Sequence, residues 1–134
     1  MESNQAKSEL LHAALTDQII KAFYNVYNSL GYGFLEKVYE NALAFELREM
    51  GLSVECQKPL KVAYRNQIVG EYFADLVVEG KVIIELKAME TIHEAHLRQL
   101  QNYLKATEIE VGLLLNFGRK PEFKRRVFQQ PLKE

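Results

Sequence analysis

Two carboxylates and an ammonium group stand out in the stretch "DLVVEGKVIIELK", which runs from Asp75 to Lys87. Glu79-Gly80-Lys81 reads as a three-residue turn, with Gly80 free to take positive φ. A turn centred on Gly80 sets Asp75 opposite Glu85, since the two are equally far from it. Side chains two apart on a strand share a face, so Lys87 joins Glu85. Two acids and a lysine therefore converge at one end of an otherwise apolar hairpin. Adjacent carboxylates repel, and a buried unpaired charge is costly. A divalent cation would remove that repulsion, because Mg²⁺ takes one or two carboxylates, waters and a phosphate oxygen. Lys87 beside it could hold a water or a developing negative charge. The plain alternative is an exposed cross-strand charge cluster. The spacing D-x₉-E-x-K alone has many chance matches.

The elements that must position this hairpin are legible around it. Leu11, Leu15, Ile19, Phe23, Val26, Tyr27 and Leu30 recur at helical spacing, predicting a helix from about Ser8 to Leu30 that Gly31 ends. A second helix is predicted from about Phe34 to Met50, with Leu35, Val38, Tyr39, Ala42, Leu43, Leu47 and Met50 as its apolar stripe. Glu36 is placed beside Tyr39 and Leu43 on its inward side, although a glutamate on the flank of an apolar stripe is usually a solvated boundary residue. The period then changes to two. "LSVECQ" and "LKVAY" read as strands flanking Pro59, and "RNQ" as a turn. Ile68 to Val78 and Lys81 to Lys87 follow as strands. Thr91 and Glu94 form a possible capping box for a helix from about Ile92 to Ala106. "EVGLLLNF" is apolar enough for a central strand covered on both faces, and "GRKPEFKRRVF" can end in an edge strand. The expected order is α-α-β-β-β-β-α-β, an α/β domain with a mixed sheet flanked by helices.

On the third helix His96, Gln99 and Tyr103 share a face, next to the apolar stripe of Leu97, Leu100 and Leu104. Gly33-Phe34-Leu35-Glu36-Lys37-Val38-Tyr39 resembles the signature of the GxxExxY protein family, which is grouped with the PD-(D/E)XK, restriction-endonuclease-like nucleases. "CQKPLKVAY", Ala74-Asp75, Glu85-Leu86-Lys87, the His96/Gln99/Tyr103-Leu104 run and "GLLLNF" match in the same order, over about Leu15 to Phe128. The resemblance implies a restriction-endonuclease-like fold and a Mg²⁺- or Mn²⁺-dependent phosphodiesterase centre. It assigns Asp75 and Glu85 as metal ligands with the Leu86 carbonyl, Lys87 as the catalytic lysine, and Glu36 as the helical acid that supports the metal. It assigns Gln99 and Tyr103 to a Gln-x-x-x-Tyr element. Ala74 replaces the superfamily's proline, which is not a ligand. Tyr27 and Tyr32 stand where relatives carry histidine and proline.

The remaining features bound this reading. The chain has 134 residues, 48% hydrophobic and 26% charged, which suits one domain that buries about two-thirds of its unfolded surface. Its net charge of -1 and pI near 6.3 give no global field for nucleic acid, so attraction to phosphate needs a local patch. Arg119, Lys120, Lys124, Arg125 and Arg126 form the basic cluster, a phosphate footprint or a solvated face. His96 reads as a phosphate contact, and with His93 lacks the third ligand of a zinc site. The lone Cys56 reads as a small buried strand residue in a reducing, cytoplasmic setting. The polar start "MESNQAKSELLH" reads as no secretory leader, and no apolar run approaches the ~18 residues of a membrane span. The expected partner is nucleic acid, DNA ahead of RNA, with no membrane and with a homodimer possible. The rival readings are a non-catalytic nucleic-acid-binding or accessory module that keeps the fold, and a structural or oligomerisation module.

Overall fold

The computed structural model describes residues 11–129. The first two helices among the described residues are α1 over Ala13–Leu30 and α2 over Glu36–Glu49. The predicted start of α1 at Ser8 lies outside the described residues. Three strands follow, β1 over Val54–Tyr64, β2 over Gln67–Val78 and β3 over Val82–Lys87. Helix α3 spans Glu94–Ala106, and β4 (Val111–Phe117) and β5 (Pro121–Val127) follow it. The five strands lie in chain order in one sheet, with β3 and β4 parallel and every other pair antiparallel. Helices α1 and α2 cover one face and α3, the crossover between β3 and β4, covers the other. This is the expected mixed sheet flanked by helices.

The observed order is α-α-β-β-β-α-β-β, because "LSVECQ" and "LKVAY" are one strand. Proline lacks the N–H of a ladder, but β1 is an edge strand and one side of it needs no ladder. Pro59 therefore stays in register with Phe73. The capping box is not formed: His93 is the N-cap of α3 and its side chain makes no capping bond. Leu35 and Val38 were expected inside yet are 79% and 38% exposed, because α2 starts only at Glu36 and its buried stripe begins at Tyr39. Cys56 is exposed on the open edge. Strand β4 is buried at every residue, as a central strand between two helical layers must be.

The β1–β2 ribbon changes face partway along. Val54, Leu76 and Val78 pack into the cluster under α1 and α2. Beyond Gln57 and Asp75, residues of the same parity, Leu60, Ala74 and Tyr72, pack against α3. Gln57, opposite Asp75 in the register, drops out of the ladder and takes a left-handed φ of 50°. Strands β2 and β3 pair only from Leu76↔Ile84 to Val78↔Val82. The sheet forks there, and the ribbon runs on alone to an exposed tip.

The segment that follows β3 is braced from β4. The buried Asn116 side chain accepts from the Met89 N–H at 3.0 Å and donates to the Met89 carbonyl at 2.8 Å. Gly118 lies so close that a Cβ there would collide with the Met89 carbonyl oxygen. Gly118→Ala should therefore lower unfolding free energy by about 1–3 kcal/mol, the usual cost of overpacking. Gly70→Ala, where a Cβ meets nothing within 4 Å, should stay within about 0.5 kcal/mol of wild type. Urea denaturation of the two variants checks the contrast.

Candidate active site

The fork between β2 and β3 is closed by side chains rather than by the ladder. The Asp75 N–H donates to Glu85 Oε2 at 3.2 Å, and the Leu86 N–H donates to Asp75 Oδ2 at 2.8 Å. Each acid thus accepts a backbone donor that sheet pairing would otherwise have used. This is the apposition the hairpin spacing predicts. Burial, then the neighbouring Asp75 charge, pushes the Glu85 carboxyl up to about 8. Lys87, half-buried two residues on, opposes that rise.

A second acid backs this pair, and it is not the one the sequence singled out. Glu36, the first residue of α2, is exposed, as a boundary residue on the flank of the stripe is. One turn later Glu40 is only 4% exposed. Lys37 Nζ and Gln57 Nε2 both donate to it, and Gln57 Nε2 also reaches Asp75 Oδ1 at 3.3 Å. The left-handed backbone of Gln57 delivers an amide donor between two carboxylates, and such strain persists where surroundings over-determine it. The bond to Glu40 holds the Lys37 ammonium above its usual range. Helical periodicity offered a signal for Glu40, which follows buried Tyr39 and precedes buried Leu43. Nothing in the sequence announces the φ of Gln57.

On the other side, α3 supplies its polar face. Tyr103 stacks on Tyr72 with ring centroids 3.4 Å apart, and Gln99 bonds the Tyr103 hydroxyl. Burial first and the Glu85 charge second raise both phenols, so both stay protonated. The Tyr72 hydroxyl is buried without a partner, as is His96 Nδ1. Burial, then the Lys87 ammonium, lowers the His96 imidazole, while Glu36 acts on it in the opposite sense. Glu36 and Lys87 therefore both lie within electrostatic reach of His96. A neutral His96 could donate a hydrogen bond to phosphate but would bring no charge.

The basic cluster does not form one patch. Arg119 and Lys120 are exposed in the β4–β5 turn, and Arg119 Nε is 3.9 Å from Glu90. Arg125 donates to the Leu11 carbonyl on the α1 side, whereas Arg126 borders α3. Strand alternation separates them, since neighbouring side chains point to opposite faces. Lys124 is exposed on the Arg126 side.

Among the described residues no three His, Cys, Asp or Glu side chains converge closely enough to hold a metal ion by themselves. The carboxylate oxygens nonetheless suit a hard cation, since Asp75 and Glu85 are apposed and burial and repulsion hold a proton on Glu85 that a cation could replace. Mg²⁺ commonly uses one or two protein carboxylates and keeps several waters. Among the described residues no helix is long and apolar enough to cross a membrane.

The family model described as the PD-(D/E)XK nuclease superfamily matches residues 13–126. The crystal structure of SSO0001 is similar in fold, with a TM-score of 0.53 at 17% identity. The match covers 91% of this chain and 62% of that one, so this chain spans less than two-thirds of its length. No curated protein sequence matches.

The raised Glu85 carboxyl makes stability depend on pH. Below about 4.5, its ordinary value, folded and unfolded states both hold the proton. Between there and about 8 only the folded state holds it, so the unfolded state gains ground as pH rises. Without divalent metal, the wild type should lose stability relative to Glu85→Gln across this window. The limiting slope is about 1.4 kcal/mol per pH unit. Paired urea titrations at several pH values measure it, and parallel curves would remove the burial argument.

Proposed function

Because the chain belongs to the PD-(D/E)XK nuclease superfamily, we propose that it hydrolyses nucleic-acid phosphodiester bonds at the β2–β3 fork. The observation that carries this reading is the Asp75–Glu85 pair, bonded into the backbone where the two strands part, with Lys87 on the same strand. Within the superfamily, the Gly33/Glu36/Tyr39 signature supports a place in the GxxExxY group. Asp75, Glu85 and the Leu86 carbonyl would hold Mg²⁺ or Mn²⁺, with Glu36 or Glu40 behind them. When bound, such an ion polarises a phosphoryl oxygen and lowers the pKa of water.

The chain's own groups divide the remaining work. Lys87 supplies a positive charge that orients the attacking water or offsets charge developing on phosphate. Glu40 and Gln57 fix Asp75 through the amide between them, which preorganises one carboxylate before substrate arrives. Neutral His96 and the Tyr103 hydroxyl are donors for non-bridging phosphate oxygens. Tyr72 supports Tyr103 by stacking and keeps water from Glu85. Arg119 and Lys120 extend positive charge along the strand path, while Lys124, Arg125 and Arg126 contribute less because they face different ways. DNA is the substrate proposed ahead of RNA, in the cytoplasm, with two copies acting together where both strands are cut.

Three substitutions separate the roles. Asp75→Asn and Glu85→Gln should each abolish Mn²⁺-dependent cleavage of plasmid or oligonucleotide DNA. They should also abolish the rise in melting temperature that Mn²⁺ gives the wild type. Lys87→Ala should keep that thermal shift and lose turnover by about 10²-fold or more, since lysine is not a ligand. A Lys87→Ala protein that cuts at the wild-type rate would falsify the assignment of the lysine. Mn²⁺-stabilised wild type without cleavage of DNA or RNA would favour the non-catalytic binding module instead.

A further inference from the structure

Immediately past Lys87 the chain forms one wall of a cavity of about 340 Å³. Ala88 and Met89 line that wall, Phe117 and Arg119 the next, and Tyr32 and Phe34 the third. Tyr32 is 58% and Phe34 46% exposed, although both are large aromatic side chains. The reading of the phosphodiesterase centre leaves this feature unused.

Each wall is held by side-chain hydrogen bonds, so the cavity is preformed. The Tyr39 hydroxyl donates to the Gly31 carbonyl at 2.7 Å and accepts from the Phe34 N–H at 3.1 Å. That pins the Gly31–Leu35 loop, whose Gly31 and Gly33 take positive φ. The Tyr39 ring itself is locked in a stack on Phe117, with centroids 4.2 Å apart. The Tyr27 hydroxyl shares its proton between the Gly118 and Arg119 carbonyls. Asn116 fixes Met89 by its paired bonds. Three separate side chains thus spend their polar groups on positioning the cavity rim.

Its place and chemistry select an occupant. Met89 is two residues from Lys87, no more than about 7 Å of chain, so the cavity adjoins the phosphate position of the centre. Aromatic faces in a concave site take a flat π-system, and Arg119 at the rim offers a guanidinium to a flanking phosphate. Its exposed contact with Glu90 at 3.9 Å is too weak to hold it back. A base inside a duplex has both faces stacked already and cannot enter. We propose that this cavity binds one unpaired nucleobase of the substrate, beside the scissile phosphate, so that the enzyme acts on single-stranded ends, flaps or extruded nucleotides. This deepens the phosphodiesterase reading and rests on it.

The test uses a short single-stranded DNA carrying one 2-aminopurine, and a blunt duplex of the same sequence, with Ca²⁺ in place of Mg²⁺. Fluorescence reports stacking of the base, and anisotropy reports affinity. The wild type should quench the probe and bind the single strand more tightly than the blunt duplex. Tyr32→Ala and Phe34→Ala should each weaken single-strand binding by roughly five-fold or more, in line with the loss of one stacking ring, and restore fluorescence. Tyr32→Phe should behave as wild type, because the ring is kept. The Phe34 N–H bond to Tyr39 survives the Phe34→Ala change, so the loop is retained. Unchanged affinity and quenching in both alanine variants would overturn the cavity proposal alone. An altered sedimentation profile with unchanged oligonucleotide binding would overturn it in favour of a second copy of the chain on this surface. A wild-type protein that neither binds nor cuts any nucleic acid would overturn the phosphodiesterase reading as well.

Discussion

The structure turns on one unfavourable contact, two carboxylates held side by side where strands β2 and β3 separate. An antiparallel pair normally ends in solvent, where water satisfies its last donors. Here the ladder ends inside the molecule, under α3, and the Asp75 and Leu86 N–H groups need acceptors. Glu85 and Asp75 provide them, at the cost of like-charge repulsion in a partly dry place. The outcome is a carboxyl with its proton held far above its usual range. A site that satisfies its backbone with charge is stable only if a proton or a cation shares it.

The rest of the sheet follows from that fork. Once β2 leaves β3, the β1–β2 ribbon is free to change which face it presents, and it does so at Gln57 and Asp75. Gln57 gives up its place in the ladder and its amide goes to Glu40 and Asp75. The flipped ribbon brings Leu60, Ala74 and Tyr72 onto α3, and Tyr72 meets Tyr103. The stack of two phenols on which the Glu85 charge acts is thus a consequence of the same break. Local strain at one glutamine and burial of two phenols serve a single geometry.

Much of this was legible in the sequence because it depends on periodicity and counting. The hairpin register followed from the distance of Asp75 and Glu85 from Gly80, and the two-sided burial of β4 from its unbroken apolar run. The His96/Gln99/Tyr103 face followed from helical spacing. What was not legible depends on tertiary context. Pro59 suggests a break, yet an edge strand tolerates it. Cys56 reads as buried from its residue type but lies on the open edge. Glu36 draws attention through its motif, while the acid that reaches the core is Glu40, because α2 enters the fold only at Tyr39. The basic run reads as one patch until strand alternation sends Arg125 and Arg126 to opposite faces.

The two acids of α2 have a division of labour that their positions enforce. Glu40 is almost wholly buried and can remain so because Lys37 and Gln57 both donate to it. A carboxylate so fixed makes a good brace and a poor mobile ligand. Glu36, one turn nearer the helix N-terminus, is exposed and free to change rotamer, and it acts electrostatically on His96 at the side where Lys87 lies. The signature residue therefore faces solvent, while the residue that carries no signature is tied to Asp75 through Gln57. Tyr39, between them, faces inward and ties the loop before α2 to the end of β4. A single helical turn thus joins the buried acid bonded to Gln57, the exposed acid near His96 and the aromatic ring stacked on Phe117.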